Sequence, residues 1–330
     1  MRLVDVRFLV IGGGNIAHSL ASAIARREEV AVLTRRPSDW AIRLNDSPFA
    51  VHATNDPSVV SDAEIIFIAL PSFAIRETLA KIDPYLHAGQ TLCLTPANTL
   101  IPDLVDAYAK KGVDVVCLQR VPYIARIEEY GRRVKMSPPR AVHKLFVPRE
   151  ELKPKWTALC RELFEGDAAY LHSPLTFIFN NSNPLLHPAR LVVLFRDWRN
   201  KTFTRNPFFY AEWTDESSEL YIKADEEMHM VLKAADPTGA CERDYESVLA
   251  HYGVSSPAEL TDKLHSIEGF KSIMSPMREL SDSTWVPDFT SRYFTEDIVG
   301  TRAIQEFAQR YSIQTSTIDK LIEAQEALAL

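Results

Sequence analysis

The run Phe8-Leu9-Val10-Ile11-Gly12-Gly13-Gly14-Asn15-Ile16-Ala17-His18-Ser19-Leu20 decides how the first half of this chain is read. Its first four residues are apolar without alternation, as in a strand buried on both faces of a parallel sheet. From His18 to Ala25 the apolar residues have helical spacing. Between strand and helix lies G-x-G-x-x-A, on Gly12, Gly14 and Ala17. Gly12 permits a tight turn, Gly14 lets the backbone approach a pyrophosphate, and the small Ala17 lets helix and strand pack closely. Asn15 and Ile16 belong to the same run as cofactor contacts, and the helix N-terminus that follows points unpaired N–H groups at phosphates. Strand, glycine turn and helix in that order are the context of a dinucleotide site.

Working outward, Val30-Ala31-Val32-Leu33 reads as a second strand, and its end should carry the residues that read the ribose. Thr34-Arg35-Arg36 stands there, without a carboxylate. Two guanidiniums suit a 2′-phosphate, so NADP(H) is favoured over NAD(H). Further buried strands are expected at 64–70, 91–94 and 113–118, with a helix over 73–82. In open α/β sheets ligands sit beyond the carboxyl ends of strands, which places Leu70, Pro71 and Pro96 beside the cofactor as backbone contacts. Strands at 141–147 and 168–171, separated by a helix over 150–164, close the domain. The expected fold is α/β: a doubly wound parallel sheet of Rossmann type over 1–172, then an all-α domain over 173–330.

Composition sets the outer bounds. The 330 residues are 46% hydrophobic and 25% charged, with a net charge of -7, as in a globular protein with a sizeable core. The acidic balance argues against nucleic-acid or anionic-membrane surfaces as partners. No apolar run is long enough to span a bilayer, and the first residues lack signal-peptide architecture, so a cytoplasmic setting is expected. Cys93, Cys117, Cys160 and Cys241 are scattered without CxxC spacing. They read as reduced, buried thiols, and no metal site is expected.

After Pro174 helix-length segments dominate: 217–234, 244–251, 256–266, 301–308 and 316–329, with 297–300 as a break. A nucleotide half followed by a helical half suggests an oxidoreductase whose substrate sits between them. Two polar constellations stand out. His187 lies between Pro184 and Pro188, near Asn180, Asn181 and Asn183. Histidine suits proton transfer near neutral pH, while capping amides and a hydrogen-bonded core histidine account for the same residues. Arg292 and Asp297 occur in Thr290-Ser291-Arg292-Tyr293-Phe294-Thr295-Glu296-Asp297, which reads as a cleft lining or as a surface turn with Asp297 as N-cap.

Together these segments resemble the octopine/nopaline (opine) dehydrogenase family. The marks are the glycine run, Val121-Pro122-Tyr123-Ile124-Ala125-Arg126, the stretch Asn180-Asn181-Ser182-Asn183-Pro184-Leu185-Leu186-His187-Pro188, Phe208-Phe209-Tyr210 with Ala224-Asp225-Glu226-Glu227, and the segment around Arg292 and Asp297. The resemblance implies a Rossmann domain joined to a helical domain of 6-phosphogluconate-dehydrogenase type, and it allows a homodimer. It implies reductive condensation of an amino acid with a 2-oxo acid by a reduced nicotinamide. His187 matches the family's general acid/base, Asp297 its carboxylate partner, and Arg292 an arginine that binds a substrate carboxylate. Asn183 and Arg126 match further substrate-side positions, Arg126 serving either a carboxylate or the domain interface. A ketopantoate-reductase-like enzyme would need a lysine near the start of the helical domain, and none occurs between Lys155 and Lys201. A 2-hydroxy-acid dehydrogenase with a His–Asp pair, and a non-catalytic NADP-binding regulator, are rival readings of the same residues.

Overall fold

The computed structural model describes residues 7–97, 101–281 and 283–329. The chain divides into two compact units, Met1–Phe177 and Ile178–Leu330. The first contains β1 (Phe8–Ile11), α1 (Asn15–Ala25), β2 (Val30–Leu33), β3 (Val51–Thr54), β4 (Ile65–Ile68), α2 (Ser72–Ile82) and β5 (Thr91–Leu94). It continues through α3 (Ile101–Ala109), β6 (Asp114–Leu118), the hairpin β7 (Ala125–Glu129) and β8 (Arg133–Met136), β9 (Val142–Phe146), α4 (Lys153–Phe164) and β10 (Asp167–Tyr170).

Eight strands form one sheet in the order β10-β9-β6-β5-β4-β1-β2-β3. All neighbours are parallel except β6 and β9. β1, β4 and β5 sit in the middle of the sheet and are buried at every residue. Alternation along β1 then feeds two cores. Phe8 and Val10 pack on the side of α1 and α4, with Leu20, Ile24, Trp156 and Phe164. Leu9 and Ile11 pack on the side of α2, with Ile75, Leu79 and Ile82. Each large buried side chain contributes about 1.5–3 kcal/mol relative to exposure. Helices on both faces of a mostly parallel sheet are the doubly wound arrangement that the apolar strands predict.

Two features of this unit are additions to the sequence reading. β3 carries a single buried residue, Val51, and sits at the sheet edge, where little apolar content is needed. The β7–β8 hairpin lies outside the main sheet and is mostly polar, so no run of apolar residues announces it.

A short helix α5 (Thr176–Phe179) crosses the division between units. The second unit holds α6 (Asn183–Phe195), α7 (Asp215–Ala235), α8 (Val248–Tyr252), α9 (Pro257–Ser266), β11 (Met277–Glu279), β12 (Trp285–Pro287), α10 (Arg292–Thr295), α11 (Asp297–Arg310) and α12 (Ser316–Ala329). α6 is the central helix, buried from Pro184 to Val192 and packed against α7, α11 and α12. Three expectations need correction. The helical half contains an antiparallel ribbon, β11–β12. Of 244–251 only 248–251 are helical, as part of α8; its first turn is held by Ser247 and by Asp225, whose carboxylate accepts the Val248 N–H at 2.9 Å. Residues 297–300 are the opening of α11, since the turn at Glu296 already separates it from α10.

Pro188 interrupts the hydrogen bonding of α6, because it has no N–H to give to the carbonyl of Pro184. Thr301 of α11 supplies the missing donor, its Oγ1 lying 2.5 Å from Pro184 O. An orphaned buried carbonyl costs about 1–3 kcal/mol, so this bond fixes α11 against the first turns of α6.

Candidate active site

The cofactor side is assembled at the carboxyl ends of the central strands. Backbone bonds carry the ladder one residue further at each strand: Gly12 N–H to Leu33 O, Thr34 N–H to Thr54 O, Ala69 N–H to Ile11 O and Thr95 N–H to Ile68 O, at 2.8–3.1 Å. Gly12, Thr34, Leu70 and Pro96 therefore share one edge, and Pro71 caps α2 there. Gly12 has φ +142°, and a Cβ on it would lie 2.5 Å from Ala69 O. Only glycine closes that turn. At Gly14 a Cβ would meet nothing within 4 Å, so the loop is open above it. Gly14 is also the N-cap of α1, with no side-chain cap and no acidic residue in the first turn. The Asn15 carboxamide is turned away, its Oδ1 accepting the Ile127 N–H at 2.8 Å. An uncapped helix terminus beneath an open glycine loop is what a pyrophosphate needs, so these residues fit a dinucleotide.

Sequence reasoning assigns no role to Gly13, Tyr130 or His18. A Cβ at Gly13 would meet the Tyr130 hydroxyl at 2.6 Å and Thr34 Oγ1 at 2.9 Å. Tyr130, at the hairpin turn, lies along the loop, while His18 is buried beneath it. The His18 Nδ1–H faces Gly14 O at 2.9 Å, and its Nε2 accepts the Gly131 N–H at 2.8 Å. Burial holds its imidazole below the ordinary value, which keeps that acceptor neutral. Thr34 is buried, whereas Arg35 and Arg36 are exposed. Arg36 stacks on Tyr130, 4.3 Å from the ring centroid, and bonds Asp39 at 2.6 Å through Nε. Folding thus sets a carboxylate beside Arg36 that the residues ending β2 do not contain.

The His187 cluster lies in the helical unit. His187, in the second turn of α6, is 2% exposed. Its Nδ1 is 2.7 Å from Asp297 Oδ2 and its Nε2 is 3.1 Å from the Tyr210 hydroxyl. The rings of Tyr293 and Phe209 approach it at 4.5 and 5.5 Å. Asp297 is the first residue of α11, where the helix dipole favours a carboxylate. Its side chain pairs with His187, and the N-cap position belongs to Glu296, so Asp297 is not the cap of a surface turn. Burial, and then the charge of Asp297, hold the Glu296 carboxyl above its ordinary range.

Arg292 is exposed on α10, its guanidinium 5.5 Å from the Tyr293 ring centroid. Among the described residues no carboxylate lies within 4 Å of it, so its fork is open to an anion. Asn183 opens α6 half-buried, its N–H donating to Asn181 Oδ1 at 3.3 Å. Asn180 instead holds the chain together, donating to Asp244 O at 2.6 Å. Arg126 is exposed on β7 in the first unit, opposite Lys135. All four cysteines are buried, and burial pushes the thiols of Cys93, Cys117 and Cys160 up, which keeps them unreactive.

Tyr210 and Arg190 carry no role in the sequence reading, although Phe208-Phe209-Tyr210 stands out as a motif. Arg190, one turn beyond His187, is buried and donates through Nε to Phe209 O at 3.1 Å. Burial pushes its guanidinium down to about 10. The Glu212 carboxylate closes the same segment. It accepts the Phe208 N–H at 2.7 Å and both Arg205 amino groups at 2.8 Å. Those Arg205 bonds hold Glu212 down to about 2. A lowered folded value stabilises the protein above the ordinary 4.5, and that stability is lost as pH falls toward 2. Glu212→Gln should therefore cost about 1 kcal/mol at pH 7, discounted because the pair is partly exposed. The deficit against the parent should shrink between pH 4.5 and 2, as read by urea denaturation.

Open α/β cofactor loop and helical His–Asp pair together define the class of nicotinamide-dependent oxidoreductases. The description "NAD/NADP octopine/nopaline dehydrogenase, alpha-helical domain" matches residues 170–329, and "NADP oxidoreductase coenzyme F420-dependent" matches 7–93. The chain is 25% identical to an opine dehydrogenase of Haliotis discus hannai, covering 96% of this chain and 88% of that one. It is 26% identical to a tauropine dehydrogenase of Arabella iricolor, covering 95% and 89%. An octopine dehydrogenase structure with NADH and L-arginine shares the fold with a TM-score of 0.85, at 23% identity over 98% of this chain and 90% of that one. Residues 170–329 thus match the helical domain of the octopine/nopaline dehydrogenases, and the chain is similar to opine dehydrogenases over nearly its whole length.

Proposed function

We propose that this protein reductively condenses the amino group of an amino acid with a 2-oxo acid, with NADPH as the favoured reductant. The carrying observation is the His187–Asp297 pair at 2.7 Å, with the open fork of Arg292 one short helix before Asp297. Asp297 holds the imidazole in one tautomer and stabilises its cation. His187 supplies and recovers the protons that amine and carbonyl exchange as they condense to an imine. Arg292 takes a substrate carboxylate, with Asn183 and Arg126 as further substrate-side groups. The uncapped start of α1 binds the pyrophosphate, and Arg35 and Arg36 take the 2′-phosphate. When bound, the nicotinamide supplies the hydride that reduces the imine.

The test is a matrix of amino acids against 2-oxo acids, followed by NADPH absorbance, with product mass confirming a secondary amine. Turnover that requires both partners is expected. Full turnover with a 2-oxo acid alone would replace this reading with a hydroxy-acid dehydrogenase. Replacing Arg35 and Arg36 together with alanine should raise the NADPH Kd by about 10–100-fold, the value of one or two charge-assisted bonds. NADH should bind nearly as before in a fluorescence titration, since it carries no 2′-phosphate. Equal losses for both nucleotides would overturn the 2′-phosphate assignment.

A further inference from the structure

His187 uses both ring nitrogens within the helical unit, Nδ1 on Asp297 and Nε2 on Tyr210. An ionised carboxylate only accepts, so Nδ1 carries the hydrogen and the neutral ring presents Nε2 as an acceptor. The Tyr210 hydroxyl is the donor that meets it. Tyr210 is also held firmly in place. Its ring stacks on Phe270 with centroids 4.1 Å apart and planes 17° apart, and lies nearly parallel to Trp213. Its preceding residue is tied down at both ends of the peptide unit. Phe209 N–H donates to Ile273 O at 2.8 Å, and Phe209 O accepts from Arg190. Such a side chain is built into the site and does not swing away to clear Nε2. Burial holds its phenol well above the ordinary value, so it keeps its proton as a neutral donor.

We propose that Tyr210 is a catalytic residue that relays the proton between His187 Nε2 and the substrate. The assignment rests on the condensation reading above. In the acid direction, the imidazolium N–H gives its proton to the Tyr210 oxygen as the Tyr210 O–H gives its own to the hydroxyl of the carbinolamine. The carbon–oxygen bond of the carbinolamine breaks, water leaves, and the protonated imine remains. His187 ends neutral, Tyr210 ends as it began, and the substrate has gained one proton. Arg190 is a positioning residue here, because it acts only through the Phe209 carbonyl.

The experiment uses the full chain with Tyr210→Phe, which keeps the stack on Phe270 and removes only the hydroxyl. On the best amine and oxo-acid pair, kcat should fall by about 10²-fold, the lower value for a lost acid–base group. KM for both substrates and the NADPH Kd should stay nearly unchanged. A proton inventory in mixed H2O and D2O should be curved for the parent, where two protons move together, and linear for the variant. A second variant, 3-fluorotyrosine at 210, keeps the hydroxyl and the shape and should retain most of kcat. Parental kcat in Tyr210→Phe, or a loss confined to KM, would overturn the relay while leaving the condensation reading standing. If the parent turns over no amine and oxo-acid pair, the condensation reading fails first and the relay falls with it.

Discussion

Replacing His187 with alanine should lower kcat by about 10²–10⁴-fold while leaving NAD(P)H affinity nearly unchanged. The size follows from the geometry. Among the described residues, His187 is the ionisable group that joins Asp297 to the Tyr210 hydroxyl, so its removal takes out the middle of the proposed relay. The two effects separate because the cofactor loop belongs to the first unit and His187 to the second. Removing a buried imidazole also empties space between Phe209 and Tyr293, so some stability is lost too. Binding measured by nucleotide fluorescence, beside kcat from steady-state assays, distinguishes the outcomes. Lost nucleotide binding with unfolding at assay temperature would return His187 to a structural role.

The second large effect is expected at Gly12. Gly12→Val should abolish measurable nucleotide binding and destabilise the first unit by about 3 kcal/mol or more. Two independent penalties meet there. The backbone is at φ +142°, a region β-branched residues do not occupy. Any Cβ would also sit 2.5 Å from Ala69 O, which is itself fixed because the Ala69 N–H pairs with Ile11 O. The neighbour cannot yield without breaking the β1–β4 ladder. Gly14→Ala is the control, since nothing lies within 4 Å of its Cβ. It should fold normally and lose affinity only for the nucleotide. A thermal melt with and without NADPH reads both effects, and a Gly12→Val protein that still gains Tm on adding NADPH would overturn the argument.

The legible parts of this protein are those where chemistry repeats along the chain. The continuous apolar runs of β1, β4 and β5 declare burial on both faces, and the structure buries every residue of them. The glycine spacing likewise carries its own geometry. The helical unit is harder to read because its site is made by contacts distant in sequence. Asp297 reads equally well as a cap or a partner until α11 is laid against α6, 110 residues away. Tyr210 looks like one more aromatic in an apolar motif, since nothing local shows that its hydroxyl meets an imidazole. Asp39 escapes notice for a similar reason. It lies beyond the end of β2, and only the turn at Pro37–Asp39 brings it back to Arg36. The β11–β12 ribbon is three residues per strand, too short for alternation to register.

The break in α6 at Pro188 carries a consequence for how the enzyme matures. A helix with every rung filled could form alone and hold His187 ready in a half-made chain. This one has a rung that only Thr301 fills, and Thr301 rides on the same helix as Asp297. Completing the backbone of α6 and pairing its histidine therefore both depend on α11 lying against it. A chain with α11 undocked lacks both the partner of the Pro184 carbonyl and the His187–Asp297 pair.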